Sequence, residues 1–146
     1  MNKLFHTANI YMILGLISGL FYREYTNIKG FHGDSQLSTL HTHILALGML
    51  FFLIALVLDK VFTLSGYKMF TWFFWTYNAG LILTVVMMLV HGIMTVEGAK
   101  VSGAVPGIAG LGHIILTVGL ILFFHALQKG VRVAVAERKN AETSEA

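Results

Sequence analysis

Four long apolar runs constrain this chain more than any other feature. They are Leu4–Tyr22, Ser38–Leu58, Met69–Val96 and Gly103–Leu127. Each is close to or beyond the ~20 residues an α-helix needs to cross a bilayer's hydrocarbon core. A backbone in that core must satisfy its own N–H and C=O groups, and runs of this length do so as helices. The expectation is an all-α membrane protein with four transmembrane helices. Composition agrees: 56% of the 146 residues are hydrophobic and 12% are charged, against about 25% charged in a soluble domain.

Other classes drop out on composition. The formal net charge is +3, and the cations sit at the ends of the runs, so no nucleic-acid surface is expected. The chain contains no cysteine. That excludes disulfides, thiolate metal sites and the C-x-x-C-H attachment of c-type haem. The N-terminal run resembles a signal peptide, but Leu20–Tyr25 ("LFYREY") offers no small-residue cleavage site, and the run reads as a permanent first span. Residues 1–128 form the expected four-helix transmembrane domain. Residues 129–146 form a charged tail, expected as frayed helix or unstructured chain.

Lysine and arginine concentrate on the cytoplasmic side of membrane proteins. Lys3, Lys60, Lys68, Lys129, Arg132, Arg138 and Lys139 share one side; Arg23, Lys29 and Lys100 lie on the other. Seven against three predicts a multi-pass membrane protein with both termini in the cytoplasm.

The seven histidines carry the chemistry. His6 and His125 fall near the inner ends of the first and fourth spans, and His32 in the outer loop. His41 and His43 open the second span, His91 lies in the third and His113 in the fourth. His91 and His113 are each eleven residues from Ser102, the expected centre of the turn, so an antiparallel hairpin should hold them level. Ionisable residues inside spans are costly and mark function, and neutral imidazole is the commonest metal ligand. A lone membrane histidine also has a plainer role, hydrogen bonding to a neighbouring helix. The H-x-H spacing says more. Each α-helical residue turns about 100°, so His41 and His43 project about 200° apart and serve two centres, one on either side of the helix.

The expected cofactor is haem b, with two histidine axial ligands. No acidic residue lies in the spans near the histidines, which argues against a hard cation. Ala46, Gly48, Gly107, Ala109, Gly110 and Gly112 would let a flat macrocycle approach the backbone. Gly15-x-x-x-Gly19 and Gly103-x-x-x-Gly107 equally fit helix packing through small residues. Arg23 is a candidate partner for haem propionates or an interfacial anchor. The aromatic band Phe70–Tyr77 reads as an interfacial belt, and Met49, Met87, Met88 and Met94 as packing residues, with Met94 a minor axial-ligand candidate.

The chain resembles a small family of bacterial four-helix membrane proteins of unknown function. The segments "FYREYT", "LHTHILALGMLFFL", "YNAGLILTVVMM" and "GIAGLGHIILTVGLILFF" carry that resemblance. More remotely, "HTHILALGM" is similar to the H-x-H segment in the catalytic subunit of haem–copper oxidases, where two histidines bind different haems on opposite faces of one helix. That subunit has twelve helices in three groups of four. The resemblance therefore implies a homotrimer with interfacial haems, His41 of one copy meeting His43 of the next. Departures from the oxidase pattern matter: Leu47 stands four residues after His43 where a tyrosine is usual, and there is no adjacent histidine pair. No oxygen-reducing copper site is evident, and whether the chain is an oxidoreductase stays open.

The leading expectation is a bis-histidine haem protein in electron transfer or redox or gas sensing, with a quinol or redox protein as partner. Its rivals are a haem held by His91 and His113 of one chain and binding a diatomic gas, a transporter or chaperone for haem or copper that uses His6 and His125, and a purely structural role.

Overall fold

The computed structural model describes residues 2–144. Four helices run up and down: α1 (Asn2–Lys29), α2 (Leu37–Phe62), α3 (Lys68–Val96) and α4 (Ala104–Ser144). All four are long and apolar enough to cross a membrane. Asn2, the 63–67 connection and the last part of α4 lie at one end of the bundle, called here the terminal end. The 30–36 and 97–103 connections lie at the other, the distal end.

Helix ends follow local chemistry. Gly30 (φ 59°) closes α1 and Gly98 (φ 66°) follows α3, both in the left-handed region that glycine enters at no steric cost. Thr63 (φ 52°) occupies the same region after α2, where a β-branched residue is strained. The buried Asp59 compensates: its backbone oxygen accepts from Thr63 N–H at 2.9 Å and its Oδ1 accepts from Ser65 N–H at 2.6 Å. Pro106 sits in the first turn of α4, where a missing N–H costs no intrahelical bond.

Two glycine seams hold the bundle. On α3 and α4, a Cβ at Gly80 would stand 2.6 Å from Leu116 N, and one at Gly119 would stand 2.9 Å from Tyr77 Cα; the backbones themselves touch. On α1 and α2, a Cβ at Gly15 would meet Leu45 at 2.5 Å and one at Gly48 would meet the Tyr11 ring at 2.4 Å. Of the two G-x-x-x-G motifs, the first is thus used within the chain, while Gly103 and Gly107 have nothing within 4 Å. The working seam of α4 is instead Gly112 and Gly119. Between the seams, Phe51, Phe52, Phe73, Tyr77 and Phe123 interlock, with the Phe51 and Tyr77 rings stacked at 4.5 Å and the Phe73 and Phe123 rings tilted at 4.9 Å. The aromatic band of α3 divides: Phe70, Phe73 and Tyr77 are core, whereas Trp72 and Trp75 face outward.

Three boundaries differ from the sequence reading. α1 extends to Lys29, so Arg23 is a helical residue rather than the start of a loop. α4 continues unbroken to Ser144, a rod of about 60 Å; hydropathy ends near Leu127, but helix propensity does not. The third lies within α2: residues Ile44–Leu50 are π-helical. The Phe51 N–H reaches the oxygens of Ala46 and Gly48, passing over Leu47. The Leu47 carbonyl instead accepts from the Tyr77 hydroxyl at 3.0 Å. An acceptor left unpaired inside an apolar bundle is costly, so this one bond stabilises the irregular segment.

Candidate functional site: the histidines of the distal half

His41 and His43 lie in the α-helical turn just before the π segment, so their divergence of about 200° stands. His41 faces α1, and a Cβ on Gly19 would be 3.6 Å from the His41 Cβ. Its Nδ1 is buried with no hydrogen-bond partner, and its Nε2 lies 3.3 Å from Thr42 Oγ1. His43 differs: its Nδ1 is 3.0 Å from the Thr39 carbonyl oxygen. A carbonyl only accepts, so Nδ1 carries a proton, and in the neutral ring Nε2 then keeps its lone pair. Backbone-anchored Nδ1–H with bare Nε2 is the form in which imidazoles usually bind metals.

His113 has the same arrangement, with Nδ1 2.9 Å from the Ala109 oxygen, and it is exposed on the surface of α4. Gly107 and Gly110, the small residues about two turns and one turn before it, have open space where a Cβ would stand. Gly48 and Gly112 do not: Tyr11 and Thr84 fill those positions. The flat surface expected around the histidines thus survives beside His113 and is used up by helix packing beside His43.

The hairpin does not hold His91 and His113 level. Gly112 meets Thr84 and Gly119 meets Tyr77. That register sets His113 opposite Leu83 and leaves His91 eight residues nearer the distal end, about 12 Å along the axis. The turn is lopsided: α3 ends at Val96 while α4 begins at Ala104, so Ser102 is not its centre. His91 is beside Gly92, which packs against Leu37, and Ser35 Oγ donates to the Gly92 oxygen at 3.0 Å. His41 and His43 therefore lie roughly 6–9 Å deeper than His91, close to the level of His113. The Nδ1 of His91 is buried without a partner.

The remaining candidates lie apart. His6 and His125 are exposed near the terminal end, with His125 Nδ1 2.9 Å from the Ile121 oxygen. His32 is exposed in the 30–36 connection. Arg23 is exposed and lies 3.7 Å from the Glu24 carboxylate beside it. Met94 is half-buried. Among the described residues, no three of His, Cys, Asp or Glu gather in a metal-binding group.

A family model described as "Protein of unknown function (DUF2871)" matches residues 1–130. The chain belongs to this family. The match ends at Gly130, where α4 packs on Phe62 and Leu64, so the charged end of α4 lies outside the shared region. No curated protein and no solved structure matches the chain.

Sequence reasoning missed two features here. The π segment has no local signature, since Ile44–Leu50 ("ILALGML") reads as ordinary apolar helix. At the distal end, Glu97 accepts from Lys29 Nζ at 2.7 Å and from the Tyr25 hydroxyl, tying α1 to the end of α3. These bonds, Lys29 first and Tyr25 second, hold the Glu97 carboxyl below its ordinary range. The pairing needs three-dimensional proximity that no spacing reveals.

Proposed function

We propose that the chain is a membrane b-type haem protein acting in electron transfer or redox sensing, with haem held by His41 and His43 at contacts between copies. One observation carries this reading. Two imidazoles leave one helix on opposite sides, one with Nδ1 anchored and Nε2 bare, the other with a buried nitrogen that has no partner. An unpaired polar atom in a membrane interior is expensive, and an axial bond or a bridging group would offset that cost. The divergence prevents the pair from sharing one iron within a chain, so each site needs a second source of ligand. A cyclic homotrimer, implied by the likeness to a four-helix unit of the haem–copper oxidase subunit, supplies it.

When bound, haem supplies a one-electron redox couple. The protein's share is to fix two imidazoles, keep the surroundings apolar, and present the exposed Arg23 to carboxylates at the distal end. Lysine and arginine bias supports termini in the cytoplasm; in a bacterial inner membrane the distal end would then face outward. The 12 Å stagger weighs against a haem spanned by His91 and His113 of one chain. An optical spectrum of the purified protein tests the reading: a sharp reduced α-band unaffected by carbon monoxide is expected. A colourless protein after haem-replete expression would overturn it.

A further inference from the structure

The π segment adds one residue to α2 between its histidines and its aromatic core. Such insertions can sit at several places along a helix, because moving one by a position only exchanges neighbouring hydrogen bonds. Each position it passes turns that residue by about 100° and shifts it about 1.5 Å. His41 and His43 immediately precede the segment, so a shift of the insertion toward the distal end would swing both imidazoles away from their present directions. Something must hold it at Ile44–Leu50.

Two contacts bear on the segment. Tyr11 packs on Gly48, which limits its approach to α1 without choosing which carbonyl leaves the ladder. Tyr77 does choose. Its hydroxyl donates to Leu47 O at 3.0 Å, the carbonyl that the Phe51 N–H passes over. The Tyr77 ring is itself immobilised. It is 1% exposed, stacked on Phe51 at 4.5 Å and edge-on to Phe52 at 5.6 Å, and backed by Gly119. A fixed donor thus meets the one acceptor that the insertion leaves over.

We propose that Tyr77 is a positioning residue that pins the π segment at Ile44–Leu50 and thereby sets the directions of the His41 and His43 imidazoles. What the imidazoles bind rests on the function proposed above; the pinning does not.

A disulfide reports the direction of residue 41 without haem. The chain has no cysteine of its own, and the 3.6 Å between a Gly19 Cβ and the His41 Cβ suits a disulfide. The Gly19→Cys, His41→Cys protein should close rapidly under mild oxidation, and adding Tyr77→Phe should slow closure at least threefold. Phenylalanine keeps the ring contacts and removes only the donor. A rate within twofold of the parent overturns the proposal. The second arm deletes Ala46, which removes the extra residue and returns Leu47 O to the ladder, where Phe51 N–H takes it. In that background Tyr77→Phe should leave the rate unchanged. Equal slowing in both backgrounds overturns the proposal, since the hydroxyl would then be a general core contact. If Tyr77→Phe folds only in the deleted background, the insertion is what needs the tyrosine and the proposal holds; folding in neither overturns it. In the chain with both histidines intact, Tyr77→Phe should also shift the low-spin haem resonance. A wild-type chain that takes up no haem defeats the proposed function, and the disulfide arms still decide the pinning.

Discussion

Gly112 lies so close to Thr84 that a Cβ added to it would stand 2.5 Å from Thr84 Oγ1 and 3.0 Å from Thr84 N. The hydroxyl cannot simply turn away, because it donates to the Gly80 oxygen at 2.9 Å, and the backbone nitrogen cannot move at all without displacing α3. Gly112→Ala should therefore push the hairpin apart and cost about 1–3 kcal/mol. Gly107→Ala on the same helix meets nothing within 4 Å and should be neutral, or stabilising by up to about 1 kcal/mol through helix propensity. Thermal unfolding in detergent compares them, and equal effects would show that the seam does not lie where the register sets it.

The ligand assignment separates the distal histidines from the others. His41→Ala and His43→Ala should each remove haem or leave it five-coordinate and open to carbon monoxide. His6→Ala and His125→Ala, near the terminal end, should leave the spectrum intact. Wild-type spectra in both of the first two variants would dispose of the assignment.

Topology can be read by chemical labelling. Cysteines at Lys29 and Lys100 should react with an impermeant thiol reagent in intact cells, and a cysteine at Lys139 should not. The opposite pattern would turn the distal end, and the histidines with it, toward the cytoplasm.

The contact of Glu97 with Lys29 and Tyr25 gives the distal end a pH dependence. The folded-state carboxyl is held below its ordinary range by those hydrogen bonds. Its contribution is thus complete above the unfolded value of 4.5 and is lost as pH falls through the lowered folded value. Spin labels at Asn27 and Lys100 should keep a narrow distance distribution at neutral pH that broadens only under strong acid. Glu97→Gln should be broad throughout. A distribution that widens on approaching neutrality from above would contradict the assignment.

The fold was legible in the sequence to the extent that the bilayer dictates it. Four apolar runs of sufficient length leave a chain little choice but four helices, and all four appear. What the runs could not convey is register. The level of His91 against His113 depends on which glycines touch, and the seam uses Gly80, Gly112 and Gly119 rather than the Gly103-x-x-x-Gly107 motif. Counting from Ser102 failed because residues 97–103 are shared unequally between the two helices. The sequence leaves the end of α4 between frayed helix and unstructured chain for another reason: hydropathy marks where a helix leaves lipid, whereas Ala, Glu, Lys and Arg after Gly130 continue it in water. The H-x-H divergence was legible because it needs only the helical repeat. The π segment was not, because its cause is a partner thirty residues away, Tyr77 on Leu47.

The final prediction asks whether haem sites are shared between copies. The hypothesis is that each takes His41 from one chain and His43 from the next. It is motivated by the divergence of the two side chains, about 200° around α2, which keeps them from one iron within a chain. A cyclic assembly presents two different faces at every contact. One chain carries His41→Ala and another His43→Ala. Alone, each trimer has a single histidine of the pair at every contact and no complete site. Co-expressed one to one, about three quarters of trimers are mixed, and roughly a quarter of the wild-type bis-histidine sites should return. If each chain instead binds its own haem, through His43 and His113 for example, the His41→Ala chain keeps its haem unaided. Co-expression then adds nothing to the sum of the two proteins, and the shared site, with the trimer that rests on it, falls.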